Sequence, residues 1–333
     1  MSIEHKNIAV YGSAVMPDND TVTEIGGAIS LTKKCTWKRL TASPEDALDA
    51  VSSSAGDITQ NITVTVRRPS GAIEDDVISL NGQTLVNGTL TANRIMKAVK
   101  SATCAGTVAV ISQTREELNM ALDGGGTDYM ILPFGASAVD NYYQGMVFYS
   151  KTGTGANQLG MCVAYDGTTK YAYFKTFGTA FDGTETVDIA EGVLFDKSPN
   201  EILECRRICY AAAAEPSSGS DRIYVEKVFF KNEHATLALT NCYLSEDQTV
   251  GVYADVDFAL ETTKDGTGTN GAGNNRQVAP TSGVTAFDSA DKLVNTGNLG
   301  PGEAIGCWFK LNLTKGKAAQ NSEILMIVKG DTI

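Results

Sequence analysis

The chain has 333 residues, of which 42% are hydrophobic, and carries a formal net charge of −12 at pH 7. This length predicts about two domains, or one body with a sizeable insertion. The acidity predicts a surface that repels phosphate groups and anionic membranes, so we expect neither nucleic acid nor a membrane as a partner.

Composition favours an all-β protein made in a cytosol. No stretch reaches the roughly twenty apolar residues of a membrane-spanning helix, and the start, MSIEHKNIAVYGSAVM, lacks the charged-then-apolar pattern of a secretion signal. The 33 Gly, together with many Thr, Ser and Asn, indicate strands joined by tight turns. The seven cysteines are odd in number and widely spread, so we expect buried free thiols rather than disulfides.

The first segment, 8–100, is predicted to consist of strands joined by turns. In the predicted strand 62–67, residues 62–66 alternate apolar side chains with Thr, the pattern of a sheet with one wet face. They are predicted to form a hairpin with 73–80, and turns are expected at Asn81-Gly82 and Asn87-Gly88. This segment therefore predicts part of a β-sandwich.

A compact β module is predicted in the middle of the chain. A strand at 107–111 leads to 112–120, which is either a helical turn or an irregular connector. The stretch 127–174 then alternates short apolar runs with Gly and Asp, as antiparallel hairpins do. Asp166-Gly167 between two aromatic runs predicts a hairpin with a primed turn.

The remaining segment, 200–333, is predicted to hold further strands. Residues 265–275 include no apolar side chain large enough to anchor them, so we expect a long mobile loop near 262–280. The predicted fold class is all-β, with an antiparallel β-sandwich body built from 1–106 and 200–333. We interpret 107–199 as an inserted small β-barrel-like module.

Patterns for catalysis are weak. Serine hydrolase chemistry requires a His beside the nucleophile, and the two histidines, His5 and His234, are far apart in the sequence. Asp255 and Asp257 share one face of a predicted strand, and paired carboxylates are what a glycosidase needs, but a wet face of a half-buried strand explains them as well. We predict no enzymatic activity, no cofactor and no metal site, although two oxygen-rich sets, 18–20 and Asp123 with Asp128, leave a structural Ca²⁺ at a subunit contact open.

Aromatic side chains next to polar atoms mark a candidate interaction surface in the central module. This composition is favoured at protein contacts and also at sugar-binding faces. The residues of this predicted surface are Asp140, Asn141, Tyr142, Tyr143, Tyr171 and Tyr173.

Two strings in the same module, GASAVDNYYQGM and TGTGANQLGMCVAYDGTTKYAYF, resemble a small β module that recurs in structural proteins of tailed bacteriophages. Flanking stretches such as GGAISLTKKCTWKRL and VEKVFFKNEHATLALTNCYLSEDQ are similar to the body of such virion proteins. The resemblance covers most of the chain. It implies a structural part of a virion, and it carries architecture rather than chemistry.

The resemblance implies a non-enzymatic protein on the virion surface that contacts phage capsid or tail proteins and assembles as a symmetric homo-oligomer, most simply a trimer. The sequence has neither a heptad run nor a solenoid repeat, which argues against a long shaft. We therefore expect a head-decorating or cementing protein. The alternative is a receptor-binding tail-fibre or baseplate protein that contacts host glycan, and a third reading is a glycan-cleaving tailspike.

Overall fold

A computed structural model describes residues 3, 7–18, 22–35, 46–195, 202–208, 220–249, 254–316 and 323–332. The predicted all-β class is confirmed, because regular structure in these ranges is antiparallel β-sheet apart from short 3₁₀ turns such as Asn295–Gly297. The described residues include no helix that is long and apolar enough to cross a bilayer.

The described residues form twenty-five strands. The first nine are β1 (Ile8–Val15), β2 (Gly26–Cys35), β3 (Asp46–Ser52), β4 (Asn61–Arg67), β5 (Ile73–Ser79), β6 (Val86–Ala92), β7 (Arg94–Lys100), β8 (Val108–Ser112) and β9 (Glu117–Ala121). The next nine are β10 (Gly124–Gly125), β11 (Tyr129–Ile131), β12 (Val147–Ser150), β13 (Leu159–Met161), β14 (Ala164–Asp166), β15 (Tyr171–Tyr173), β16 (Thr186–Ala190), β17 (Gly192–Phe195) and β18 (Glu204–Arg206). The last seven are β19 (Arg222–Asn232), β20 (Leu239–Thr249), β21 (Ala254–Lys264), β22 (Lys292–Leu293), β23 (Asn298–Leu299), β24 (Ala304–Leu313) and β25 (Glu323–Thr332).

The chain divides into two compact units. Unit 1 comprises Met1–Cys35 and Ile208–Ile333, and unit 2 comprises Thr36–Arg207. The sequence also predicts a body made from both ends of the chain with an insertion between them, but it draws the boundaries near 106 and 199. Both of those positions lie inside unit 2.

Unit 1 is a sandwich of two antiparallel sheets. One sheet has the strand order β21-β24-β19-β1-β2, and the second is formed by β20 with β22, β23 and β25. Alternate residues of the first sheet, such as Val228, Phe258 and Cys307, pack against Cys242 and Leu244 of β20. A fully buried side chain of this kind contributes about 1.5–3 kcal/mol relative to an exposed one, so this core accounts for much of the stability of unit 1.

The loop after β21 covers the other face of the first sheet. Trp308 and Ala259 lie on that face in contact with Phe287. Asn270 is buried, and its side-chain oxygen accepts a hydrogen bond of 2.9 Å from the backbone N–H of Ile25. The sequence predicts a mobile loop near 262–280 because large apolar side chains are lacking there. In the structure, hydrogen bonds of buried polar side chains such as Asn270 fix this loop instead.

Unit 2 stacks several small antiparallel sheets. Their strand orders are β18-β7-β4-β5, β17-β8-β3-β6, β13-β12-β16-β9 and β10-β11-β15-β14. Val51, Ile111 and Leu194 of the second sheet pack against Val147 and Leu159 of the third. The last two sheets enclose a separate core rich in aromatic rings, with Phe148, Tyr165 and Phe174 among its members.

In the first part of unit 2, one predicted hairpin and one of two predicted turns are confirmed. The predicted hairpin is confirmed as β4 and β5, with Arg67 opposite Ile73, and Gly82 lies in a turn with a positive φ. The predicted turn at Asn87-Gly88 is wrong, because both residues lie within β6. A Cβ at Gly88 would approach the Asp76 carboxylate to 2.5 Å, so this glycine makes room for a side chain rather than for a turn.

The predicted hairpin at Asp166-Gly167 is confirmed as β14 and β15, but its turn differs. The positive φ is at Lys170, and the Asp166 side chain accepts hydrogen bonds from the N–H groups of Thr168 and Thr169 at 2.8 and 2.9 Å. Gly167 is required for another reason, since a Cβ there would collide with the backbone of Ala138.

Two further predictions concern 112–120 and the cysteines. Residues 117–121 form strand β9 rather than a helical turn or an irregular connector. Six cysteines are buried free thiols, as predicted; they are Cys35, Cys104, Cys162, Cys205, Cys242 and Cys307. Cys209 lies outside the described residues.

Candidate functional site

The sheet β10-β11-β15-β14 has one face in the core and one face open. Tyr129 pairs with Tyr173, and Ile131 pairs with Tyr171, so these four side chains share a face. The residues between them, such as Met130, are fully buried on the opposite face. We call the open set Tyr129, Ile131, Tyr171 and Tyr173 the tyrosine face.

The rings of the tyrosine face lie nearly parallel to one another. The centroids of Tyr129 and Tyr171 are 5.2 Å apart with planes inclined by 20°, and those of Tyr171 and Tyr173 are 6.1 Å apart at 32°. A Cβ at Gly126 would approach the ring of Tyr129 to 2.5 Å, so this ring rests on glycine backbone. Tyr173 is 40% exposed. The rings form a pre-arranged aromatic platform at the surface.

Tyr143 does not belong to the surface predicted from the sequence. It is 0% exposed, its ring lies 4.8 Å from that of Tyr165, and its hydroxyl donates to Glu117 at 2.7 Å and accepts from the N–H of Ser137 at 3.1 Å. Burial raises the pKa of Tyr143 well above its ordinary range, and the hydrogen bond to Glu117 raises it further. The residue is part of the core because the turn before β12 folds its ring inward.

Asp140, Asn141 and Tyr142 are exposed, but their polar atoms serve the local turn. Asp140 accepts a hydrogen bond of 2.8 Å from the N–H of Gly167. The side chain of Asn141 accepts one of 3.1 Å from the N–H of Tyr165, and Asn141 has a φ of 59°. The hydroxyl of Tyr142 donates to Glu116, and this bond raises the pKa of Tyr142. These polar atoms are therefore engaged within the protein and stabilise the local turn.

Sequence reasoning therefore found Tyr171 and Tyr173 but missed Tyr129 and Ile131. The missing signal is the alternation in β11, where Tyr129 and Ile131 flank the buried Met130. Reading that alternation against the pairing with β15 assembles the whole face.

A second polar cluster lies within unit 1, around Lys227. Its ammonium contacts Glu261 Oε1 at 2.7 Å and donates to the carbonyl oxygens of Gly27, Gly266 and Gly268 at 2.8, 3.0 and 3.1 Å. Burial lowers the pKa of Lys227, although the bond to Glu261 opposes that effect. The ammonium is fully partnered, which indicates a structural role.

The Lys227 cluster could not be predicted from local sequence patterns, because its members, from Gly27 to Gly268, are spread over more than two hundred positions. Gly306 is central, since a Cβ there would approach Lys227 Cε to 2.9 Å and also collide with Glu261. The ring of Phe229 lies 4.6 Å from Lys227 Nζ. Packing of an ammonium against an aromatic ring adds attraction in such a dry setting.

Arg276 fills the edge of β19 that β1 leaves unpaired. β1 pairs with β19 as far as Val228, and beyond that point the N–H of Val225 donates to the Arg276 carbonyl at 2.7 Å. The Arg276 guanidinium binds Glu226 at 3.0 Å. Arg276 thus provides hydrogen-bond partners for β19 beyond the point where its pairing with β1 ends.

Of the two carboxylates that the sequence offers for glycosidase chemistry, the side chain of Asp257 lies among the described residues and that of Asp255 does not. Asp257 forms an ion pair of 2.6 Å with Lys310 and accepts a hydrogen bond from Asn312. Among the residues that the structure describes, no group of three or more His, Cys, Asp or Glu side chains is arranged to hold a metal ion.

The fold and these sites define an all-β protein of antiparallel sandwiches that presents an aromatic surface. No protein-family model and no curated protein matches the sequence. Among solved structures, the infectious bursal disease virus VP2 subviral particle aligns with 92% of this chain and 74% of that chain, at 11% identity and a TM-score of 0.14. That score is too low to indicate a shared fold.

Proposed function

We propose that this chain is a non-enzymatic structural component of a tailed-phage virion, a head-decorating or cementing protein on the particle surface. The observation that carries the proposal is the tyrosine face, where three aromatic rings lie side by side on the open side of a sheet. Tyr is enriched at protein interfaces because a large rigid ring buries area at low entropic cost. This face would contact a neighbouring subunit, either a copy of the chain in a symmetric oligomer, most simply a trimer, or a capsid protein.

Two other observations support this proposal. One is the resemblance to phage structural proteins inferred from the stretches quoted in the sequence analysis, which implies a part of a virion. The net charge of −12 suits a protein that stands outside the space filled with DNA.

A receptor-binding tail-fibre or baseplate protein is the second candidate. The near-parallel rings of Tyr129 and Tyr171, 5.2 Å apart, favour it, because flat aromatic platforms also stack on sugar rings. Under this candidate the tyrosine face would meet host glycan instead of a capsid subunit.

Antibody labelling of intact particles by electron microscopy tests the proposal. Label spread over the head supports the decorating role, whereas label confined to the tail or its tip would favour the second candidate. Absence of label from purified particles would reject both.

A matched pair of variants tests the role of the tyrosine face. Tyr173→Ala should reduce the copy number of the protein on purified particles, because Tyr173 is part of the proposed contact. Tyr142→Ala should leave it unchanged, since Tyr142 is equally exposed, at 41% against 40%, but lies outside the tyrosine face. Equal loss in both variants would contradict the assignment of this face.

A further inference from the structure

A cleft of about 560 Å³ opens in unit 2 between two groups of loops. One wall comes from 53–55, Gln83 and 105–107, and the other comes from 156–159 and 176–178. The volume lies within the range of small-ligand sites, roughly 300–1,000 Å³. The cleft is therefore large enough for a ligand of several rings, and it shares no residue with the tyrosine face.

Among the described residues that line this cleft, none carries a charge. The lining consists of Ser, Thr, Asn, Gln, Gly and Ala together with Leu159 and Phe177, in a chain of which 20% of the residues are charged. An anionic ligand would lose hydration without meeting a cation, and a cationic ligand would meet no carboxylate. The ligand class that fits is neutral and rich in hydroxyl groups.

The first wall is held rigid by a buried carboxylate behind it. Asp57 accepts hydrogen bonds from the Ser52 hydroxyl at 2.6 Å and from the N–H groups of Ala105 and Gly106 at 2.7 and 2.9 Å. A Cβ at Gly106 would approach the backbone nitrogen of Ser54 to 2.6 Å, so these loops touch backbone to backbone. Such a wall changes little when a ligand arrives, which lowers the entropic cost of binding.

The second wall is fixed by Gln158. Its side-chain amide donates to the Thr179 carbonyl at 2.8 Å and accepts from the Thr179 N–H at 2.9 Å, as a neighbouring strand would. The ring of Phe177 is held edge-on against Phe181, with centroids 4.7 Å apart. Phe177 lines the cleft but is only 8% exposed, so its ring supports this wall from the core side.

Several polar groups in the cleft are available to a ligand. The side chains of Asn157 and Thr176 make no hydrogen bond to any part of the chain that the structure describes. Gln83 uses its NH₂ group to bind the Ser53 carbonyl at 2.9 Å, which leaves its side-chain oxygen as an acceptor. Amide and hydroxyl groups of this kind pair with sugar hydroxyls, both as donors and as acceptors.

From the neutral lining, the rigid walls and the available amide and hydroxyl groups, we infer that this cleft binds a neutral oligosaccharide. The inference goes beyond the proposed role on the virion and does not depend on it. If the protein bound no neutral oligosaccharide, the outcome of particle labelling would be unaffected. If the particles carried no label, oligosaccharide binding by the cleft would be unaffected.

The test uses the full chain on an array of neutral hexose, N-acetylhexosamine and deoxyhexose oligosaccharides, with sulfated and sialylated ones alongside. We expect binding to a subset of the neutral oligosaccharides, with the affinity of the best one measured by calorimetry. Binding only to the acidic ones, or to none, would overturn the inference.

A blocking variant locates the binding. A Cβ at Gly178 meets only Gln158 Oε1, at 3.7 Å, and Gly178 has no positive φ, so the backbone accepts a side chain there. Gly178 lines the cleft, and Gly178→Trp is designed to block it. We expect at least a tenfold loss of affinity. The matched control is Gly135→Trp, because a Cβ at Gly135 meets nothing within 4 Å, and it should bind as the wild type does. Retained binding in Gly178→Trp, or equal loss in the control, would overturn the inference.

A milder variant guards against a folding defect. Asn157 has a φ of 64°, so Asn157→Gly removes the amide while keeping a backbone that glycine readily adopts. Loss of one hydrogen bond should weaken binding by about threefold to tenfold. Tyr173→Ser should have no effect, and a loss confined to that variant would move the sugar site to the tyrosine face and reject the cleft.

Discussion

Lys227 and Glu261 form an ion pair of 2.7 Å although their strands are not neighbours in the sheet. Strand β24 lies between β19 and β21, and the two side chains meet over Gly306 of that middle strand. Their side chains are 0% and 4% exposed, so water does not screen the pair. The pair ties three strands together through side chains as well as through backbone hydrogen bonds.

Removing one partner of this pair should be costly. Lys227→Met leaves the Glu261 carboxylate buried without its counter-ion, and we expect a loss of about 3–5 kcal/mol in the free energy of unfolding. Lys227→Met combined with Glu261→Leu should lose less than the single change, because no unpaired charge remains. Urea denaturation measures both variants, and a double variant at least as unstable as Lys227→Met alone would contradict the prediction.

Gly306→Ala should also destabilise unit 1. The added methyl group would meet Lys227 Cε at 2.9 Å and collide with the Glu261 carboxylate, neither of which is free to move. Overpacking of this kind costs about 1–3 kcal/mol. Gly178→Ala is the control, since its Cβ has room; thermal unfolding should separate the two, and equal midpoints would show that the cluster adapts.

Asp57 should make stability depend on acid pH. Burial opposes ionisation, but the hydrogen bonds from Ser52, Ala105 and Gly106 prevail and hold the pKa of Asp57 below its ordinary 3.8. The unfolded chain therefore binds a proton at higher pH than the folded one, so this contribution is complete above the unfolded pKa and is lost as pH falls through the lower folded pKa.

Asp57→Asn provides the check. It removes the charge-assisted hydrogen bonds, and we expect a loss of about 1.5–3 kcal/mol at neutral pH. The difference from wild type should shrink as pH falls below 3.8. Unfolding free energies measured across that range test the sign, and a difference that grows with acid would contradict it.

The hydroxyl groups of Tyr142 and Tyr143 should contribute differently to the free energy of unfolding. Tyr143→Phe leaves Glu117 and the N–H of Ser137 without their buried partner, and we expect a cost of about 1–2 kcal/mol. Tyr142→Phe removes a hydroxyl at the surface and should cost less than about 0.5 kcal/mol. Chemical denaturation compares them, and equal losses would show that burial of Tyr143 does not matter.

Much of the fold follows from local patterns. The alternation in 62–66 predicts β4, and the turn residues beyond it predict the hairpin with β5. Sequence patterns failed where a residue serves a distant partner. Gly88 resembles a turn glycine, but it is small because the Asp76 carboxylate occupies the space beside it and accepts from the N–H groups of Thr89 and Leu90.

The candidate site divides in the same way. Tyr171 and Tyr173 were predicted as aromatic side chains next to polar atoms, and they share an open face because they lie two residues apart on a strand. Tyr143 was predicted on the same ground but is buried, because a turn position does not reveal which way a ring packs. The loop 265–275 was expected to be mobile for want of apolar anchors. Its anchors, such as Asn270 and the carbonyls that bind Lys227, are polar and depend on residues that no local window contains.

The order of the strands along the chain delays the pairing of β1 with β19 while the protein is being synthesised. Ile8 of β1 pairs with Asn232 of β19, and all of unit 2 lies between them. At about 5–20 residues per second, Ile8 leaves the ribosome roughly 10–45 s before its partner. During that interval all of unit 2 emerges, while the edge of β1 that will pair with β19 has no partner. We expect the unpaired edge of β1 to be accessible to a chaperone or a nascent neighbour in that interval, until β19 pairs with it.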